Sequence, residues 1–401
     1  MSRFLRRRVP NEEQHASNLE LFYDLVFVLA VTQVSHLLLD DLTWRGAARA
    51  TLVLLVVWWA WNYTTWVTNM LDPDSVVVRL LVLAIMFASL VMAVAIPEAF
   101  GSRALLFAGA YVAIQVGRHV FITFVVASRD SPERQPAAHI LTWFVASGVF
   151  WISGALASGP TRIALWIVAL GIDYAAPLVF YRVPGRPRLD QSAWDVETSH
   201  FAERFQLFII IALGESIVVT GATTSELSLG AARMAAFGIA FLSTAALWWL
   251  YFSYVAAIAQ RRLELSTEST KLARDGYTYL HVVIVAGVIV WAVGDELVIA
   301  HPTDVLPAAE VAAIVLGPAI YLLGHVLFRW RMAGSPAWKR LAGALACLAV
   351  GGLGSVATGL VLASLVCAVL VAVIGAERIA AGRRQARGDP SPLERLEASA
   401  G

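Results

Sequence analysis

The feature that most constrains this chain is a succession of twelve stretches, each about as long as the roughly 20 apolar residues a bilayer core demands of a helix, separated by short polar turns. No water-soluble domain of ordinary composition carries such a pattern. Of the 401 residues, 59% are hydrophobic and 15% charged, against about 45–50% and 25% in soluble domains. Lipid leaves no backbone group unsatisfied, so spanning segments of this length are read as helices. They are expected at Glu20 to Leu39, Ala47 to Met70, Val76 to Ile96, Arg103 to Ala127, Ala137 to Ser158 and Arg162 to Val183. A second set of six is expected at His200 to Gly221, Ala231 to Ala257, Tyr277 to Ala300, Pro307 to Trp330, Ala337 to Gly354 and Val356 to Ile379, with GGLG at 351–354 as the turn in the last pair.

The basic residues orient the chain. Of the 30 lysines and arginines, five (Arg45, Arg49, Arg103, Arg162, Arg233) fall on one side, Arg118 and Arg204 fall within spans, and the other 23 fall on the side that carries the N-terminus. By the positive-inside rule both termini are cytoplasmic and the number of spans is even. The net charge of +1 and the lack of a basic face exclude nucleic acid as an expected partner. The bilayer itself is the expected one. The basic start at Arg3, Arg6, Arg7 and Arg8 precedes a polar stretch and a long apolar run without a small-residue cleavage site, so the first span is expected to stay in the mature protein. Cys347 and Cys367 lie at different depths of the last pair and are read as small hydrophobes.

The two halves match in order. LFYDLVFVLAVTQ from Leu21 aligns without gaps with ERFQLFIIIALGE from Glu203, pairing Asp24 with Gln206 and Gln33 with Glu215. Trp58, Trp59 and Trp61 of the second span correspond to Trp248, Trp249 and Tyr251 of the eighth, and Gly117 to Val120 of the fourth to Gly324 to Val326 of the tenth. An even number of spans per half makes the repeat parallel. The expected fold is therefore an all-α polytopic membrane protein of about 12 helices in two parallel six-helix repeats. Its segments are a basic start at 1–19, repeats at 20–183 and 200–379, a linker at 184–199 and a tail at 380–401. The loop after the second span, MLDPDSVVVR, lacks the basic signature of the major facilitator transporters.

ELFYDLVFVLAVTQVSH from Glu20, the tryptophan-rich second span and HFAERFQLFIIIALGESIVVTG from His200 together resemble the bacterial low temperature requirement protein A family (LtrA), from Leu19 to about Arg331. The resemblance implies a multi-pass membrane protein of the cell membrane linked to growth in the cold. It assigns no reaction.

Ionisable groups within spans cost about 2.5–3.5 kcal/mol on insertion scales, so each asks for a reason. Glu20 and Asp24 share a face at the start of the first span, where Ser17 and Glu20 fit a capping box; they serve as caps or as an entry site for cations or protons. Glu203 and Arg204 open the seventh span, where Arg204 either snorkels to the surface or pairs with a carboxylate of the other repeat. Glu215 lies deep in that span, and with Gln33 and His36 it is a candidate pathway lining or a buried helix contact. Asp173 stands four residues before Pro177, which frees a carbonyl. It reads as a cation site, or as one partner of Arg118 or a histidine at a kink. Arg118, His119 and His325 are candidates for a proton relay or for helix contacts. The tryptophans are read mainly as packing. No spaced metal motif, phosphate loop or catalytic triad is present, and no cofactor is expected. Three functions fit: a transporter or channel for protons, cations or a small solute; a membrane enzyme acting on lipid; a scaffold or sensor.

Overall fold

The computed structural model describes residues 4–6, 14–127, 131, 133–189 and 196–398. The expected basic start at Arg3, Arg7 and Arg8 and part of the linker, 190–195, lie outside the described residues. Among those described, the chain is helical apart from one bridge, Leu5 with Leu71. Nine helical segments among the described residues are long and apolar enough to cross a membrane. Large apolar side chains stand exposed along them, among them Phe22, Leu25, Leu80, Phe87, Phe124 and Phe241. Surfaces of that kind are stable against lipid and not against water, which makes this a multi-pass membrane protein.

By internal contact the chain divides into two compact units, residues 1–37 with 49–204, and residues 38–48 with 205–401. The first contains α1 (Asn18–Leu39), α2 (Trp44–Met70), α3 (Val76–Ala95), α4 (Ala104–Phe121), α5 (Arg134–Leu156), α6 (Gly159–Ala175) and the opening turns of α7 (Thr198–Glu226). Here α3 packs on α4, α4 on α5 and α5 on α6. The second contains the rest of α7, then α8 (Ala231–Leu250), α9 (Ala256–Glu264), α10 (Ser269–Leu272), α11 (His281–Ala300), α12 (Ala308–Ala333), α13 (Trp338–Val350), α14 (Gly359–Ala386) and α15 (Pro392–Ala398). There α11 packs on α12, α12 on α13, α13 on α14 and α14 on α8. Glycines make the tightest of these contacts possible: the missing side chains of Gly287 and Gly317 leave room for the backbones of Tyr321 and Trp291.

Three of the twelve expected spans fall outside the nine. At 17 residues α6 is short, because Pro177 stops the helix at Ala175 where a kinked span to Val183 was expected. Beyond it Phe180 and Tyr181 both take left-handed backbone angles, φ 51° and 50°. With 13 residues, α13 spans about 20 Å by itself; Gly351–Leu353 forms the turn expected after it. At 27 residues α2 is long enough, but Asn62, Thr64, Thr65, Thr68 and Asn69 dilute its hydropathy. All five are buried, as are Trp58, Trp59 and Trp61. A helix enclosed on every side by protein need not be apolar.

The segment from Ile258 to Gly276, expected as a loop, is largely helical: α9 and α10 follow α8 through the wide π-type turn Tyr251–Val255, and a second such turn, Ala273–Leu280, leads into α11. Its charged residues conceal the helix from a hydropathy reading. Cys347 and Cys367 are both free and buried.

Candidate functional site

Three polar centres lie inside the helices. The first gathers around the start of α1. The capping box forms as the sequence predicts, with Glu20 Oε2 accepting from Ser17 N at 2.9 Å and from Ser17 Oγ at 2.8 Å. The same carboxylate then serves a larger network. Arg6 Nη2 donates to its Oε2 at 2.9 Å, and His200 Nε2 donates to its Oε1 at 2.9 Å. Arg204 Nη1 lies 3.3 Å from Oε1, and Arg204 Nη2 donates to Asp24 Oδ1 at 2.6 Å. Trp61 Nε1 donates to that Asp24 oxygen at 2.8 Å.

Glu20, Asp24, His200 and Arg204 are each at most 1% exposed. Two carboxylates and two guanidiniums cancel, which is the condition for burying charge. The histidine tautomer is also fixed. Asn69 Oδ1 accepts from Glu197 N at 3.0 Å, so its amide nitrogen must point the other way, and donates to Glu197 O at 2.9 Å and to His200 Nδ1 at 3.0 Å. The imidazole proton therefore sits on Nε2, facing Glu20. Glu203, expected beside Arg204, points elsewhere: its Oε2 accepts from Ala16 N at 2.8 Å.

The second centre is a file of polar side chains on α6, α4 and α2. Asp173 Oδ2 accepts from Tyr111 Oη at 2.8 Å and from Trp151 Nε1 at 3.0 Å. The expected pairing of Asp173 with Arg118 or a histidine does not form. Arg118 instead donates to Gln115 Oε1 and, at 2.8 Å, to Thr64 Oγ1, and its guanidinium lies 5.6 Å from the centre of the Tyr63 ring. The correction has a helical cause. On α4, Tyr111, Gln115 and Arg118 follow one another at one-turn spacing on a single face, so Tyr111 takes the level of Asp173 and Arg118 lies two turns away. The file thus runs Asp173, Tyr111, Gln115, Arg118, Thr64, with hydrogen bonds from Tyr111 to Asp173 and from Arg118 to Gln115 and Thr64. Among the described residues no cation contacts Asp173 and no carboxylate contacts Arg118. His119, one residue on, turns back to donate from Nδ1 to Gln115 O at 2.9 Å and packs against Phe144.

The third centre is in the second unit. Arg340, read from the sequence as a loop arginine, is 1% exposed and donates to Glu377 through Nε and Nη2, both at 2.9 Å. It also donates to Leu250 O at 2.9 Å and to His325 Nδ1. Leu250 precedes the wide turn after α8, and Leu247 O, one turn earlier, accepts from Tyr321 Oη at 2.6 Å. His281 stacks on Tyr277 and meets Tyr251 Oη at 3.2 Å. Glu215 is buried on α7, Gln33 is half-buried and His36 exposed on α1. Sequence reasoning missed His200, Asn69, Arg6, Tyr111, Glu377 and the buried Asp295. The first two stood within reach, since His200 opens the second acidic motif and Asn69 closes the polar end of the second span. Among the described residues no three His, Cys, Asp or Glu side chains are placed to hold a metal ion.

The chain is 39% identical over 320 residues to an uncharacterized protein of Rhizobium meliloti (strain 1021), covering 79% of this chain and 78% of the relative. No solved structure matches it. The family model described as bacterial low temperature requirement A protein (LtrA) matches residues 15–375. The chain, carrying both acidic motifs and the tryptophan-rich helix within that range, belongs to the LtrA family.

Proposed function

We propose that this LtrA protein is a transporter or channel of the cell membrane for protons, small cations or a small solute. Twelve spans in two parallel repeats, with both termini in the cytoplasm, form its frame. The order of packing supports the repeat: α3 to α6 follow one another as α11 to α14 do. The arginine-rich ends of α12 and α14, with Arg329, Arg331, Arg383 and Arg384, support the orientation. The short spans α6 and α13 fit the count if each is completed by the turn that follows it.

The observation that carries the reading is the pair Asp173 and Arg118. Each is buried within a helix bundle, each has only neutral hydrogen-bond partners, and Tyr111, Gln115 and Arg118 stand in line on one face of α4 between them. A carboxyl without a cation and a guanidinium without an anion are both poised for a mobile charge. The file lies wholly within the first unit, so the proposal rests on Asp173 and Arg118 rather than on Glu215, Gln33 and His36. A membrane enzyme acting on lipid has less support, because Glu20 and Asp24, its nearest acids, are each held by guanidinium.

The class of solute is tested by reconstituting the full chain in liposomes loaded with a pH-sensitive dye and imposing proton, sodium or potassium gradients in turn. Flux above that of empty liposomes under one gradient is expected. Equal leak under all of them would contradict the proposal.

A further inference from the structure

The second unit holds a cavity of about 550 Å³ where α9, the last turn of α12, the end of α14 and α15 meet. Its wall has two kinds of residue. Val255, Ile258, Phe328 and Met332 form an apolar side, and all four are buried. Arg262, Arg329, Arg384 and Arg395 form the other, and no acidic side chain lines it.

Two nearby arginines outside the cavity are neutralised. Arg261 pairs with Glu264 at 3.1 Å and with Glu397 at 2.9 Å, and Arg331 pairs with Asp275 at 2.8 Å. Arg262 and Arg384 make no ion pair among the described residues, and Arg395 donates only to Pro390 O at 3.1 Å. One arginine near a helix C-terminus is what the helix dipole favours. Arg329 also feels Glu377, but Arg262, Arg384 and Arg395, drawn from three helices around one space, exceed that need, and an anion in the cavity would relieve their mutual repulsion.

The cavity opens where α12 and α14 end, at the level of a lipid headgroup. We propose that it binds the phosphate-bearing headgroup of an anionic phospholipid from the adjoining leaflet, with the arginines on the phosphate and the apolar side against the start of the acyl chains. The occupant is chosen by charge and by shape: a zwitterionic headgroup brings no net charge, and free phosphate leaves the apolar side uncovered. The inference is independent of what the protein transports.

The test is the thermal unfolding of the full chain in uncharged detergent, titrated with phosphatidylglycerol, phosphatidylcholine or inorganic phosphate. Phosphatidylglycerol is expected to raise the midpoint saturably, and phosphatidylcholine and inorganic phosphate to leave it unchanged. The triple substitution Arg262→Gln, Arg384→Gln, Arg395→Gln should weaken the phosphatidylglycerol response about a hundredfold. The substitutions lie at partly exposed positions, so the variant is expected to fold. Arg383→Gln with Arg387→Gln, which removes charge from the same helix outside the cavity, should leave the response intact. An equal response to phosphatidylcholine, a full response to inorganic phosphate alone, or a triple variant that responds like the parent would each overturn the proposal.

Discussion

Arg204 Nη2 stands 2.6 Å from Asp24 Oδ1, inside protein and away from water, tying the first turns of α7 to α1. One guanidinium thereby serves both acids of the first motif. Replacing Arg204 with Met should cost about 3–5 kcal/mol, because it strands buried carboxylates. Adding Asp24→Asn, which leaves Glu20 balanced by Arg6, should return most of that loss. Thermal unfolding of the two variants in detergent checks both statements; an Arg204→Met variant as stable as the parent would show the pair to be idle.

Asn69 holds His200 in the tautomer that faces Glu20. Asn69→Leu, close in volume, leaves the His200 Nδ1 and the Glu197 N–H and C=O without partners. A loss of about 1–3 kcal/mol is expected, with the His200→Asn exchange in the same background giving partial rescue. Chemical unfolding in detergent reads the difference.

Arg340 has four acceptors in a fixed arrangement, a geometry that suits a planar fork and not an ammonium. Arg340→Lys should therefore lower stability by about 2 kcal/mol although charge is kept. Lys339→Arg, one residue away and exposed, should change it little.

The membrane orientation has its own check. A reporter fused after Ala381 should be active only on the cytoplasmic side, and one fused in the turn between α5 and α6, near Ser158, only on the outer side. The opposite pattern at either point would break the even count of spans.

Much of this architecture was legible because lipid imposes it. Spans α1, α3, α4, α5, α11 and α12 stand within a few residues of their expected places, whereas α14 runs on to Ala386 beyond its expected end at Ile379, and the pairing of Arg204 with a carboxylate of α1 fits opposite charges that must be buried together. What hydropathy could not convey is depth. Arg340 sits beside Lys339 in a basic stretch, and nothing local marks one as buried and the other as exposed. Of the two readings open for Asp173, the pairing with Arg118 or a histidine does not form, because the levels of two side chains on different helices depend on packing, whereas the face that Tyr111 shares with Arg118 is a property of one helix. For the same reason α9, with Gln260, Arg261, Arg262 and Glu264, read as a loop: its charge pattern conceals a helix whose buried face is only Ala256, Ile258, Ala259 and Leu263.

The account of conduction stands on Asp173, and one comparison tests it most directly: the initial rate of gradient-driven flux in liposomes for the parent and for Asp173→Asn, which keeps the volume and can still accept from Tyr111 and Trp151. A fall to the rate of empty liposomes, with an unfolding midpoint close to that of the parent, is the predicted result. Flux that persists at the parent's rate would contradict it.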